Sequence, residues 1–152
     1  MICRAAIPDD MPAIEALLRE DSQHFDYLDY AESVPWWVVA ERDGIIVGCC
    51  HLAAAMPVSH AAFFVIAPEA RKGTVTWNFI AWIFEKVRAV GSNHLMGFAH
   101  KNQPEWRNAM LRHGADKASG KGWMYIQPTT TLVPAPRGVV EGTLSERNGH
   151  GQ

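Results

Sequence analysis

The stretch with the most chemistry per residue is Arg71-Lys72-Gly73-Thr74-Val75-Thr76. An apolar run over 61–67 enters it through Pro68, and apolar residues then recur at helical spacing at Ile80, Ile83, Phe84, Val87 and Val90, with Thr76 on the same face. That pattern reads as strand, tight turn and amphipathic helix. A basic, glycine-bearing turn at a helix start can bind an anion, because the first-turn N–H groups and the positive dipole end both face it. The same pattern also suits an ordinary connection in which Arg71 and Lys72 are simply solvated. A second stretch, residues 23–33, combines Tyr27 and Tyr30 with Asp26, Asp29 and Glu32. It could form a ring-bearing wall that attracts a cationic amine, or the solvated face of a short helix. None of the seven histidines forms an i, i+4 pair, so no helical metal site is expected. Cys3, Cys49 and Cys50 lack both zinc spacing and an even count, and they read as reduced core thiols.

The elements that would position these residues follow in order. Residues 2–6 read as a strand, and a helix over about 9–20 starts at Pro8-Asp9-Asp10 and carries Met11, Ile14, Leu17 and Leu18 on one face. Phe25 and Leu28 suggest a short second helix within 23–33. Residues 36–41 and 45–54 form a hairpin about Asp43-Gly44, and 58–67 makes a third strand of an antiparallel meander. A helix over about 74–90 ends at Gly91. The apolar strand 94–99 then lies parallel to 61–67, because a helix separates them. A helix over 103–113 and a last strand over 123–127 complete a single domain, 1–127. Residues 128–152 are rich in Pro and Gly and read as a tail outside the fold.

Composition narrows the function classes. At 152 residues, 48% hydrophobic and 20% charged, the chain is a globular domain. A net charge of −2 argues against nucleic acid or an anionic membrane as the main partner. The N-terminus lacks the apolar core of a signal peptide, and no run approaches a membrane span, so a cytoplasmic location is expected. Six Trp and six Phe point to a large core, a ligand cleft or a partner surface.

The element order, together with Arg4-Ala5-Ala6 before Pro8-Asp9-Asp10, the hairpin WWVVAERDGIIVGCC, the stretch VIAPEARKG and the segment Asn102 to Gly114, resembles the GNAT family of acetyl-CoA-dependent N-acetyltransferases. The likeness covers most of 2–127. It implies an α/β (α+β) fold: a mixed sheet of an antiparallel meander and a parallel β-α-β unit with a splayed central cleft. It implies acetyl-CoA as co-substrate and direct attack by a primary amine, such as a small amine or a lysine side chain. The pyrophosphate would rest on Arg71, Lys72, Gly73, Thr74, Val75 and Thr76, with Val65, Ile66 and Asn102 as further cofactor contacts. A backbone N–H near Phe64, Val65 or Ile66 would polarise the thioester carbonyl. The amine must also lose a proton. His100, just past the strand beside the cleft, is the favoured base, with His51 and His60 behind it. Three positions depart from the family pattern. Thr74 and Thr76 replace the small residues usual in the loop, and Met110 stands where a proton-donating Tyr is common. A GNAT-like fold kept as a structural or assembly protein, conceivably a virion component docking through its tail or a homo-oligomer, is the alternative. A non-catalytic acyl-CoA sensor is a third reading.

Overall fold

The computed structural model describes residues 1–26, 29, 30, 32–98, 107, 108, 111, 116, 117, 124–129 and 137–142. Strand β1 (Ile2–Ala5) leads through a single 3-10 turn, Pro8–Asp10, into helix α1 (Met11–Glu20). Met11, Ile14, Leu17 and Leu18 of α1 are buried, which is the face the sequence spacing predicts. Strands β2 (Trp37–Arg42) and β3 (Ile45–Ala53) form a hairpin. Its turn residues Asp43 and Gly44 both have positive φ, 54° and 78°, the conformation that matches the twist of a two-residue hairpin. Strand β4 (Val58–Ile66) returns antiparallel to β3. Helix α2 (Val75–Ala89) then crosses to β5 (His94–Phe98), which runs parallel to β4. Strands β6 (Asp116–Lys117), β7 (Met124–Pro128) and β8 (Val140–Glu141) complete the sheet in the order β6-β7-β5-β4-β3-β2-β1-β8.

The antiparallel meander and the parallel β-α-β unit are therefore present as expected. Three local features differ from the sequence reading. The described residues of 23–33 form turns rather than a helix, stitched by the Asp29 carboxylate accepting the Glu32 N–H and the Tyr30 hydroxyl accepting the Phe25 N–H. The two-residue strand β6, paired antiparallel with β7, was not anticipated. Residues 137–142, read from composition as lying outside the fold, run along its edge. There β8 pairs in parallel with β1, and the Asn78 side chain exchanges two hydrogen bonds, 2.8 and 3.0 Å, with the Arg137 backbone. Lys86 of α2 also pairs with Glu141. Such pairing has no apolar period, so composition alone could not show it.

One core joins the sheet to both helices. Trp37, Phe79, Ile14, Leu18, Val39, Val65 and Val87 are fully enclosed. Each such side chain contributes about 1.5–3 kcal/mol through its removal from water. Helix α2 is buried on more than one side. Phe79, Ile83, Phe84 and Val87 lie in the core, while Asn78 meets the 137–142 segment. Val90, included in the predicted apolar face, falls beyond the helix end and is exposed. Among the described residues, no helix is long and apolar enough to cross a membrane.

Candidate functional site

Among the described residues, the site is built where β4 outruns its pairing with β5. The ladder between β4 and β5 joins Val58–Ala61 to His94–Gly97, but β4 continues to Ile66. On its other side β4 stays paired with β3, with a shift in register: Cys49 faces Val65, whereas His51 faces Ala62. Phe63 and Phe64 thus share the space opposite Cys50, a β-bulge that bends and twists the strand. Phe63 sits at φ 51°, a left-handed conformation costing about 1–2 kcal/mol for a bulky residue. Beyond the bulge the alternation is regular. Ala67 N–H donates to Val47 O at 2.9 Å, so Ala67 and Val65 turn their amides to β3 and Ile66 turns its amide the other way. Of the three strand residues expected to serve the carbonyl, Ile66 therefore offers its N–H on the side where the β5 ladder has ended. Phe64 lies in the bulge with its ring stacked on Phe79 at 5.6 Å, against α2. Gly48 lets Ile66 approach: a Cβ there would stand 2.7 Å from Ile66 Cδ1 and 3.3 Å from Val65 O.

A short turn, Pro68–Ala70, leads from β4 to Arg71–Thr74 and then to α2 at Val75. Arg71 is already engaged. Its Nε donates to Ile66 O at 2.9 Å and its Nη2 to Asp21 at 2.8 Å, which ties the end of β4 to the end of α1. Lys72, Gly73 and Thr74 are exposed, Thr76 is half-buried, and Val75 is buried against the core. The first intrahelical bond is Asn78 N–H to Thr74 O. No acceptor meets the backbone N–H groups of Lys72 through Thr76 among the described residues. Five consecutive amides at the start of a 15-residue helix, with an exposed Lys beside them, have the donor chemistry a pyrophosphate needs. The glycine is where the backbone requires one. Gly73 has φ 134°, whereas Thr74 sits in the ordinary right-handed region at φ −89°. An added Cβ at Gly73 would meet nothing within 4 Å, so only its backbone freedom is specific.

The other face of the bulge is aromatic. Phe63 packs against Trp37 at 6.0 Å, Phe25 at 5.9 Å and His51 at 6.4 Å, and Trp37 meets His51 edge-on at 5.3 Å. His51 is half-buried, and burial pushes its pKa below 6.5. His60, on β4, is exposed. Cys49 and Cys50 are enclosed, and burial raises both thiols, Cys50 to about 12, so neither is a ready nucleophile. The acidic patch foreseen over Tyr27 to Glu32 is only partly outward. Tyr30 is buried against Trp37 and stacked on His24, while exposed Asp26 pairs with Arg19 and His24. His100, Asn102, Met110 and Tyr27 lie outside the described residues. Sequence reasoning did not single out Trp37 and Phe63 as site walls. The doublets Trp36-Trp37 and Phe63-Phe64 were the available signal, since one ring of each pair must leave the core face of a strand.

No protein-family model and no curated protein matches the sequence. Solved structures do share its architecture. N-acetylglutamate synthase from Neisseria gonorrhoeae, complexed with coenzyme A and N-acetyl-glutamate, superposes with a TM-score of 0.70 at 21% identity, over 84% of this chain and 34% of that one. This chain therefore spans about a third of that protein's length. Ard1 from Thermoplasma volcanium gives a TM-score of 0.69 at 10% identity, over 83% of this chain and 95% of that one. An acetyltransferase of the GNAT family from Listeria monocytogenes gives 0.65 at 11% identity, over 83% and 93%. The bulged β4, the unpartnered loop amides and these superpositions lead to one conclusion: the chain has the fold of the GNAT acetyltransferases.

Proposed function

We propose that this protein transfers an acetyl group from acetyl-CoA to a small primary amine. The observation that carries the reading is the run of backbone N–H groups from Lys72 to Thr76 without acceptors among the described residues, directly after the point where β4 parts from β5. Those amides and Lys72 would hold the pyrophosphate. The gap beyond the Ala61–Gly97 pair would take the pantetheine arm, with Val65 and Ile66 along it. The Ile66 amide would face the carbonyl and stabilise the negative charge that develops on its oxygen. The thioester supplies an activated acyl group: the amine nitrogen bonds to the carbonyl carbon, the carbon–sulfur bond breaks and CoA leaves as its thiol. Thr74 needs no glycine-like backbone, and its exposed hydroxyl can donate to phosphate, which supports the loop in this role. Thr74 and Thr76, bulkier than the residues usual there, are what favour a non-catalytic scaffold instead.

The test is thiol release on mixing protein, acetyl-CoA and a panel of primary amines. Release that depends on the amine, with the N-acetyl product identified by mass, is the expected result. Folded protein that binds acetyl-CoA yet acetylates no amine would favour an acyl-CoA sensor.

A further inference from the structure

We infer that His51 is the residue that takes the proton from the acceptor amine, and that the amine reaches it along the aromatic wall of Phe63 and Phe25. This rests on the acyl-transfer reading and names the base of the same site. His51 lies on β3 opposite Ala62, at the last regular pair before the bulge, so it is adjacent to the segment that turns the Ile66 amide outward. Its ring is held from two sides by near-perpendicular aromatic contacts, 86° to Trp37 and 79° to Phe63. Neither ring nitrogen has a hydrogen-bond or ion-pair partner among the described residues. An imidazole that is oriented by packing but unengaged at both nitrogens has its proton-accepting capacity free.

The strain at Phe63 fits the same role. Its left-handed backbone places the ring against His51, Trp37 and Phe25, while Phe64 packs on the α2 side. Phe25, packed edge-on against Phe63 at 5.9 Å, is 38% exposed, so this aromatic cluster reaches the surface. Among the described residues, the groups that meet His51 are uncharged: Trp37 from β2, Ala62 and Phe63 from β4. The titratable groups beyond them are Tyr30, whose hydroxyl is used by the Phe25 N–H, and His24, held between Glu15 and Asp26. Burial among these rings keeps the imidazole neutral near neutral pH, the form a base requires. The amine nitrogen would give its proton to His51 as its bond to the acyl carbon forms, and the proton would pass from there to solvent or to the departing thiolate.

The experiment combines histidine-ring NMR with kinetics on the full chain. His51 resonances are assigned by their loss in His51→Gln, and acetyl-CoA is added, with calorimetry in parallel. The His51 ring signals should move on acetyl-CoA addition. With benzylamine as acceptor, kcat/KM should fall about 100-fold in both His51→Gln and His51→Phe near neutral pH. The acidic limb set by the enzyme, which lies below the ionisation of the amine itself, should vanish in both variants. His51→Phe preserves the aromatic packing, so a purely structural role would leave its rate and its acidic limb intact. If acetyl-CoA binds while the His51 ring signals stay still, or if the acidic limb survives in His51→Phe, the assignment is wrong. If calorimetry shows no binding at all, the acyl-transfer reading itself fails.

Discussion

Two regions of this sheet, the β1–β2 pair and the C-terminal end of β4, handle polar groups in opposite ways. In the β1–β2 region, Arg4 is 8% exposed and Asp10 3%, and their bidentate pair, 2.6 and 3.0 Å, is completed by Glu41 at 2.7 Å. Asp10 also accepts the Ile7 N–H, which closes the turn into α1. The Asp10 hydrogen bonds, more than any other cause, raise the Arg4 pKa, so the guanidinium is charged at any accessible pH. At the β4 end, a bulged strand with a left-handed Phe63 leads to loop amides that meet no acceptor among the described residues. A buried charge network in which the partners satisfy one another fixes geometry and cannot release a member without loss. Strain and unpartnered donors are tolerated where a ligand completes them. The first region is closed on itself, whereas the second carries backbone donors without acceptors among the described residues, as the proposed cofactor loop requires.

That contrast can be broken in either region. The largest effect is expected from Asp10→Ala, which leaves the buried Arg4 with Glu41 as its one remaining carboxylate partner in the network. It should cost about 3–5 kcal/mol in a denaturant titration, while any folded fraction still binds acetyl-CoA. Gly73→Ala should do the reverse. Forcing a side chain onto φ 134° costs about 1–2 kcal/mol, and it should weaken acetyl-CoA roughly tenfold by calorimetry with little change in the core. Arg71→Met removes the ties to Ile66 O and Asp21. Its side chain is 44% exposed, so solvent screening limits the loss to about 0.5–1 kcal/mol. Lys72→Gln should weaken acetyl-CoA only a few-fold, with the difference fading as salt is raised. The smallest effect concerns pH. His51 has a folded pKa below its usual 6.5, so its neutral form is favoured in the native state. Its contribution to stability is present above 6.5 and is lost as pH falls through the folded value. Thermal melts of wild type and His51→Phe should therefore run parallel above that pH and converge or cross below it.

Much of this was legible in the residues. The α1 face, the Asp43-Gly44 hairpin and the strand-turn-helix over 58–91 follow from apolar period and turn chemistry, and all three appear in the structure. The loop was less legible, because a basic, glycine-bearing turn before an amphipathic helix suits an ordinary connection as well as an anion site; the family resemblance is what singled it out. Less legible still was what needs a third dimension. The bulge at Phe63–Phe64 depends on register between strands, which the period of one strand does not encode. Arg71 reads as a phosphate ligand in sequence, yet its guanidinium is bound to Asp21, fifty positions away. His51 ranked behind His100 in sequence because His100 follows the strand paired with the splayed one, nearest the expected cleft; His100 lies outside the described residues. Across the sheet His51 stands beside the bulge. Segment 137–142 has strand pairing without strand composition, since it is held by two residues on β1 and the Asn78 and Lys86 side chains of α2.

The central claim is that the Lys72–Thr76 amides are a phosphate cradle despite the two threonines. Calorimetric titration of the full chain with acetyl-CoA addresses it without any acceptor. Saturable heat with one equivalent bound is expected, weakened by Gly73→Ala and unaffected by substitutions in the β1–β2 region that leave the protein folded. Absence of heat at high micromolar acetyl-CoA, on protein shown to be folded by its thermal transition, would contradict it.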